Sequence, residues 1–131
     1  MTEQTKKTIL IIEDDLSALN ALVDKLTREG FKTLQAKDGE EGFMLAKQTQ
    51  PDLILLDIII PKMDGLSVMK KLRAENAWGK NVPIILLTNL SPDDEKINAS
   101  ITEDVPAYYL VKTNWSMDDV VAKVRERLVR V

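Results

Sequence analysis

Ile9-Leu10-Ile11-Ile12-Glu13-Asp14 and, further along, Leu53-Ile54-Leu55-Leu56-Asp57 decide the fold. Each is a short run, apolar at every position, that ends in acid. A run apolar on both faces suits a central strand of a parallel sheet, where helices cover both sides. Two further runs each end in one polar residue: Ile84-Ile85-Leu86-Leu87 in Thr88, and Tyr109-Leu110-Val111 in Lys112. If the four runs are parallel strands, these polar side chains meet along one rim of the sheet.

Between the runs the pattern turns helical. Asp15 can cap a helix whose apolar residues Leu16, Leu19, Leu22, Val23 and Leu26 keep helical spacing, and Gly30 ends it. Lys32–Ala36 is half-polar and reads as an edge strand. Gly39–Gln48 is a helix with Phe43, Leu45 and Ala46 in its apolar part. After Asp57, Pro61 and Gly65 punctuate a loop; its three isoleucines, Ile58 to Ile60, would be odd there unless they cover something. Leu66–Glu75 is a helix with Leu66, Met69 and Leu72 on one side. Ser91-Pro92-Asp93-Asp94 opens a polar, weakly amphipathic helix to about Ile101. Ser116 caps the last helix, with Trp115 and Val120 as a staple and Met117, Val120, Val121, Val124 and Leu128 as its inner stripe. Five βα units predict an α/β fold: a doubly wound five-stranded parallel sheet with strand order 2-1-3-4-5. Ligands bind such sheets at the strand C-termini where the order reverses. That point lies between the first and third strands, which end in Glu13/Asp14 and Asp57.

With 131 residues the chain reads as one domain, 1–131, with residues 1–7 a flexible N-terminal segment. The composition is 44% hydrophobic and 30% charged, which argues against disorder. A net charge of −3 argues against direct nucleic-acid binding, which normally needs a basic surface. There is no Cys and no His, so thiolate metal sites and His-based catalysis are excluded. No apolar stretch approaches the ~20 residues of a membrane helix, and the first seven residues lack a signal core. The expected location is the cytoplasm, away from membrane.

Hard oxygen ligands without His or Cys suit magnesium. Asp14 and Asp57 could bind it directly, with Glu13 holding a bound water. A carboxylate can also attack phosphorus to give an aspartyl phosphate. The metal, an ammonium and a hydroxyl must then offset charge on the transferred group, and Lys112 and Thr88 are the right types at the right rim. Each residue alone has a plainer reading. Asp15 is a helix cap. Glu13 and Asp14 could be helix-dipole acids, Asp57 a turn former, Thr88 a strand end and Lys112 a solvated cation. Their coincidence at four strand ends favours a site.

The segments Ile9–Asp15, Asp52–Asp57, Pro61–Gly65, Pro83–Thr88 and Tyr109–Lys112 together resemble the receiver domain of bacterial two-component response regulators, of the chemotaxis-regulator-like kind. The resemblance covers essentially the whole chain. It implies the (βα)5, flavodoxin-like fold and a phosphoryl group accepted on Asp57 from a sensor histidine kinase or phosphotransfer protein. It implies magnesium bound by Asp14 and Asp57, with Glu13 in the same cluster and the Ile59 backbone carbonyl as a further ligand. Thr88 would bind the phosphoryl group, Lys112 would pair with it, and Tyr109 occupies the place of the switch aromatic. Three positions depart from the family pattern. Thr113 replaces the usual Pro after Lys112, Asn89 replaces a small residue, and Ala107-Tyr108 replaces a frequent Asp-Asp. Cis before a non-proline costs ~2.5–4 kcal/mol, so either a trans Lys112–Thr113 bond with a locally rearranged loop or a strained cis bond is expected; of the two, cis is the expectation, since the lysine must reach the site.

Phosphorylation is then expected to draw Thr88 and Tyr109 inward and remodel an output face made by the fourth helix (91–101), the fifth strand and the fifth helix. A downstream partner would meet that face, and the protein would be a monomer or a phosphorylation-dependent dimer. Ile59 and Leu90 flank the path of a hydrolytic water; both are apolar and cannot orient it, so a long-lived phosphoryl group is expected. Two other readings compete. A phosphohydrolase of the haloacid dehalogenase type would need a second Asp two residues after the nucleophile, where this chain has Ile59. A receiver that works without phosphorylation would have no use for the complete set of acids, Thr88 and Lys112.

Overall fold

The computed structural model describes residues 6–88, 108–111 and 116–128. Strands β1 (Thr8–Ile12), β2 (Lys32–Ala36), β3 (Leu53–Asp57), β4 (Ile84–Thr88) and β5 (Tyr108–Val111) form one parallel sheet in the order β2-β1-β3-β4-β5. Helices α1 (Leu16–Arg28), α2 (Gly39–Thr49) and α3 (Gly65–Glu75) follow the first three strands, and a C-terminal helix, Met117–Leu128, follows β5. The expected doubly wound order is therefore observed.

Strand side chains alternate between faces, so each all-apolar run feeds two cores. Ile9, Ile11, Leu53, Leu55, Ile85 and Leu87 pack with Leu19, Leu22 and Leu26 of α1 and Val120, Val121 and Val124 of the C-terminal helix. Leu10, Ile12, Ile54, Leu56, Ile84 and Leu86 pack with Phe43 and Ala46 of α2 and Leu66, Met69 and Leu72 of α3. Each such side chain contributes about 1.5–3 kcal/mol on burial, which is why these runs form the centre of the sheet. In β2 only Ala36 is buried, as suits an edge.

The helix ends follow their local chemistry. Asp15 Oδ1 accepts from the Ser17 and Ala18 amides at 2.9 and 3.4 Å and starts α1. Gly30, at φ +97°, follows its end, a conformation glycine reaches without steric cost. Ser116 and Asp119 cap each other's backbone amides at the start of the C-terminal helix, with bonds of 2.8 and 3.2 Å. The inner stripe of that helix is as expected: Val120, Val121 and Val124 are buried, and Met117 and Leu128 pack beside them.

Three details differ from the sequence reading. A short helix, Ala77–Asn81, lies between α3 and β4 and was not anticipated. Asn76 Oδ1 caps it at the Gly79 amide, and Arg73 Nη1 donates to the Gly79 and Val82 carbonyls at 2.8 Å. The isoleucines split: Ile58 and Ile60 are buried, whereas Ile59 is 61% exposed. In the expected flexible start, the Lys7 carbonyl already accepts from the Lys32 amide at 2.9 Å, so the chain is tied to β2 from there on; residues 1–5 lie outside the described residues. The expected helix over 91–101, the Trp115 staple contact and the Lys112–Thr113 bond also lie outside them. No helix among the described residues is long and apolar enough to cross a membrane.

Candidate functional site

Register brings the acids together. Ile12 pairs with Leu56, so Glu13 leaves β1 beside Asp57, the last residue of β3. The Glu13 amide donates to the Ala36 carbonyl at 3.0 Å, which fixes this turn against the end of β2. One carboxylate oxygen from each of Glu13, Asp14 and Asp57 lies within 4.8 Å of the others. Glu13 is 2% exposed and Asp57 8%, while Asp14 faces solvent.

Three carboxylates this close repel one another, and burial of two of them strengthens the repulsion. Two oxygens are partly engaged: Glu13 Oε2 accepts from the Asp15 amide and Asp57 Oδ1 from the Ile59 amide, both at 3.2 Å. An all-oxygen, all-anionic donor set with one open side fits a hard divalent cation such as magnesium, which keeps several of its own waters. Asp15 belongs to the helix cap, as its carboxylate contacts require.

The loop after Asp57 is held at close quarters. The Gly65 amide donates to the Ile58 carbonyl at 2.8 Å. A Cβ on Gly65 would overlap the Asp57 carbonyl oxygen and stand 2.8 Å from Ile58 Cα. Asp64 Oδ1 caps α3 at the Ser67 amide, 2.9 Å away. Thr88 ends β4 one step beyond Leu87, which pairs with Asp57, so its backbone stands at the same rim. Tyr109 pairs with Leu86 within β5. The side chains of Thr88 and Tyr109, and the whole of Lys112 and Leu90, lie outside the described residues.

In the sequence Gly65 punctuates the loop and nothing ties Gly39 to the site. Both make backbone contacts that a side chain would block. The available signal was the repeated Asp-Gly pair, Asp38-Gly39 and Asp64-Gly65. In each the Asp caps a helix and the Gly opens it.

Comparison with known proteins gives a consistent result. A profile of the family described as the response regulator receiver domain matches residues 9–125. The DNA-binding dual master transcriptional regulator RpaA of Synechocystis is 37% identical over 124 residues, covering 93% of this chain and 49% of that protein. The probable transcriptional regulator ycf27 of Porphyridium aerugineum is 36% identical over 126 residues, covering 96% of this chain and 50% of that protein. The chain thus spans about half the length of these curated relatives. Among solved structures, the BeF3-activated N-terminal receiver domain of Klebsiella pneumoniae RstA superposes with TM-score 0.81 at 26% identity, covering 94% of this chain and 99% of that one. The receiver domain of Francisella response regulator 1452 gives 0.81 at 28% identity, covering 92% and 95%.

Proposed function

The chain belongs to the response regulator receiver family, and from that premise we propose that Asp57 accepts a phosphoryl group from a phosphohistidine of a sensor kinase or phosphotransfer protein, in a magnesium-dependent reaction. The observation that carries this is the convergence of the Glu13, Asp14 and Asp57 carboxylates at two adjacent strand ends.

In the transfer, an Asp57 carboxylate oxygen attacks phosphorus and a new O–P bond forms. The donor's P–N bond breaks, its electron pair returns to the imidazole nitrogen, and that nitrogen takes up a proton. Asp14 and Asp57 would hold magnesium, with Glu13 in the same cluster and the Ile59 carbonyl as a further ligand. Held there, the cation would supply positive charge against the phosphoryl oxygens. Thr88 is assigned to bind the phosphoryl group, Lys112 to pair with it, and Tyr109 to follow Thr88 inward.

The phosphoryl group carries about −1.5 to −2 charge in place of the carboxylate's single charge, and this shift in the amount and position of charge can bias a nearby two-state element. The output face would comprise residues 91–101, β5 and the C-terminal helix. The only catalysis assigned is of the domain's own phosphorylation and dephosphorylation, in the cytoplasm. The expectation of no nucleic-acid contact is confined to these 131 residues. RpaA, about twice the length of this chain, is a DNA-binding regulator, so DNA is the target proposed for a longer protein containing this domain.

Incubating the purified protein with a small acyl phosphate tests this reading. One phosphoryl increment in the intact mass is expected, dependent on magnesium and absent when the metal is chelated before the donor is added. No increment, or one indifferent to magnesium, would reject it.

A further inference from the structure

The loop between Asp57 and α3 turns back sharply at Pro61-Lys62-Met63. The Met63 amide donates to the Pro61 carbonyl at 2.8 Å, and Lys62 between them has φ +70°. A three-residue turn around a residue at positive φ is rare and strained. Such strain persists only where surrounding structure holds it.

Here the holding structure is the N-terminus of α2. The Gly39 amide donates to the same Pro61 carbonyl at 3.1 Å. Asp38 caps α2 through Oδ1 at the Glu41 amide, 2.8 Å away, and its Oδ2 lies 3.7 Å from Lys62 Nζ. A Cβ on Gly39 would overlap the Met63 carbonyl oxygen and stand 2.6 Å from Met63 C and 2.7 Å from Met63 Cβ. These atoms belong to the backbone or sit directly on it, so no side-chain rotation relieves the overlap. The other end of the loop is fixed to the acceptor: the Ile59 amide bonds Asp57 Oδ1, and the Gly65 amide bonds the Ile58 carbonyl. The strained turn and Asp57 therefore belong to one closed loop, and α2 grips its far end.

We propose that Gly39 is a positioning residue for the metal-binding loop. Its amide and its missing side chain hold the Pro61–Met63 turn in place, and through that turn the Ile59 carbonyl assigned to the metal. The proposal rests on the magnesium reading of the site. Gly39 itself touches neither metal nor phosphoryl group; it acts through Pro61 and Met63.

The test compares Gly39→Ala with Gly79→Ala, which drives a Cβ into the Leu72 carbonyl at the other end of the sheet. Urea midpoint, amide exchange at Met63 in metal-free protein, and magnesium affinity by calorimetry are read for both. Gly39→Ala is expected to speed Met63 exchange and weaken magnesium binding about 10-fold or more, the scale seen when support behind metal ligands is lost. Gly79→Ala is expected to lower the urea midpoint while leaving Met63 exchange and magnesium affinity at parent values. The proposal is overturned if Gly39→Ala keeps the parent's affinity, whatever its Met63 exchange, or if Gly79→Ala weakens magnesium equally. A parent that binds no magnesium would sink the magnesium reading separately; Met63 exchange would still decide whether Gly39 holds the turn. Should Gly39→Ala fail to fold, Asp38→Asn retains a capping side chain but loses the charge facing Lys62, and the same criteria apply with a smaller loss.

Discussion

Gly65 lies against the backbone of Asp57, so closely that a Cβ at position 65 would overlap the Asp57 carbonyl oxygen. Asp57 and the first residue of α3 are thus one packed unit. Gly65→Ala should destabilise the fold by about 1–3 kcal/mol through overpacking. It should also slow phosphorylation by a small donor, since ~1 Å of misplacement at a reacting group can cost about 100-fold. Urea denaturation and the rate of mass gain check both. A variant with reduced stability but parent phosphorylation kinetics would show that the contact does not aim Asp57.

Asp14 is the exposed member of the acidic cluster and, with Asp57, is assigned to the metal. Asp14→Ala should weaken magnesium binding and, by removing one of three mutually repelling charges, raise stability in the absence of metal. Calorimetry and metal-free urea titrations report the two effects. Unchanged magnesium affinity would refute the assignment of Asp14 as a ligand.

Ile59 stands 61% exposed two residues past Asp57 and presents only hydrocarbon there. Leu90, its proposed counterpart, lies outside the described residues. Neither side chain can orient a hydrolytic water, so the phosphorylated protein should decay slowly. Ile59→Asn, alone or with Leu90→Glu, should release phosphate severalfold faster in magnesium. Equal decay in parent and variants would remove side-chain control of water access from the account.

An ion cluster joins α1 to the C-terminal helix and sets a pH dependence at both extremes. Arg125 Nη2 lies 2.7 Å from Glu29 Oε1, and Lys25 Nζ lies 2.9 Å from Asp118 Oδ1. The Arg125 guanidinium, aided by Lys25, holds the Glu29 carboxyl below its usual 4.5. The Asp118 carboxylate, aided by Glu29, holds the Lys25 ammonium above its usual 10.5. The Glu29 contribution is present above pH 4.5 and is lost as pH falls through the lowered value. The Lys25 contribution is present below pH 10.5 and is lost as pH rises through the raised value. Both groups reach solvent and are screened, so the effects are small and shrink with salt. Urea midpoints against pH should flatten on the acid side in Glu29→Gln and on the alkaline side in Asp118→Asn. An acid limb identical in Glu29→Gln would mean the Arg125 contact contributes nothing to folding.

The parts of this molecule legible in its sequence are those governed by local pattern. The runs Ile9–Ile12, Leu53–Leu56 and Ile84–Leu87 are short, apolar on both faces and set between helical segments, which suits covered parallel strands. Asp15, Gly30 and Ser116 announced helix ends because capping is a matter of two or three residues. The convergence of Glu13, Asp14 and Asp57 followed once strand order was inferred. The short helix Ala77–Asn81 was hidden because five residues carry too little periodicity, and its support is tertiary: Arg73 of α3 donates to the Gly79 carbonyl, and Trp78 within the helix donates through Nε1 to the Pro51 carbonyl at 3.3 Å. The grip of Gly39 on Met63 was hidden for a related reason: a missing side chain leaves no pattern until its distant neighbour is known.

The central claim is that Asp57 carries the phosphoryl group, and chemical trapping tests it most directly. Borohydride reduces an aspartyl phosphate to homoserine, which peptide mass spectrometry locates in the chain. Protein treated with a small acyl phosphate and magnesium should yield homoserine at position 57 alone, and Asp57→Asn should yield none. Homoserine at Asp14 or another aspartate in the parent protein, 5-hydroxynorvaline at Glu13 or another glutamate, or undiminished labelling of Asp57→Asn, would contradict the account.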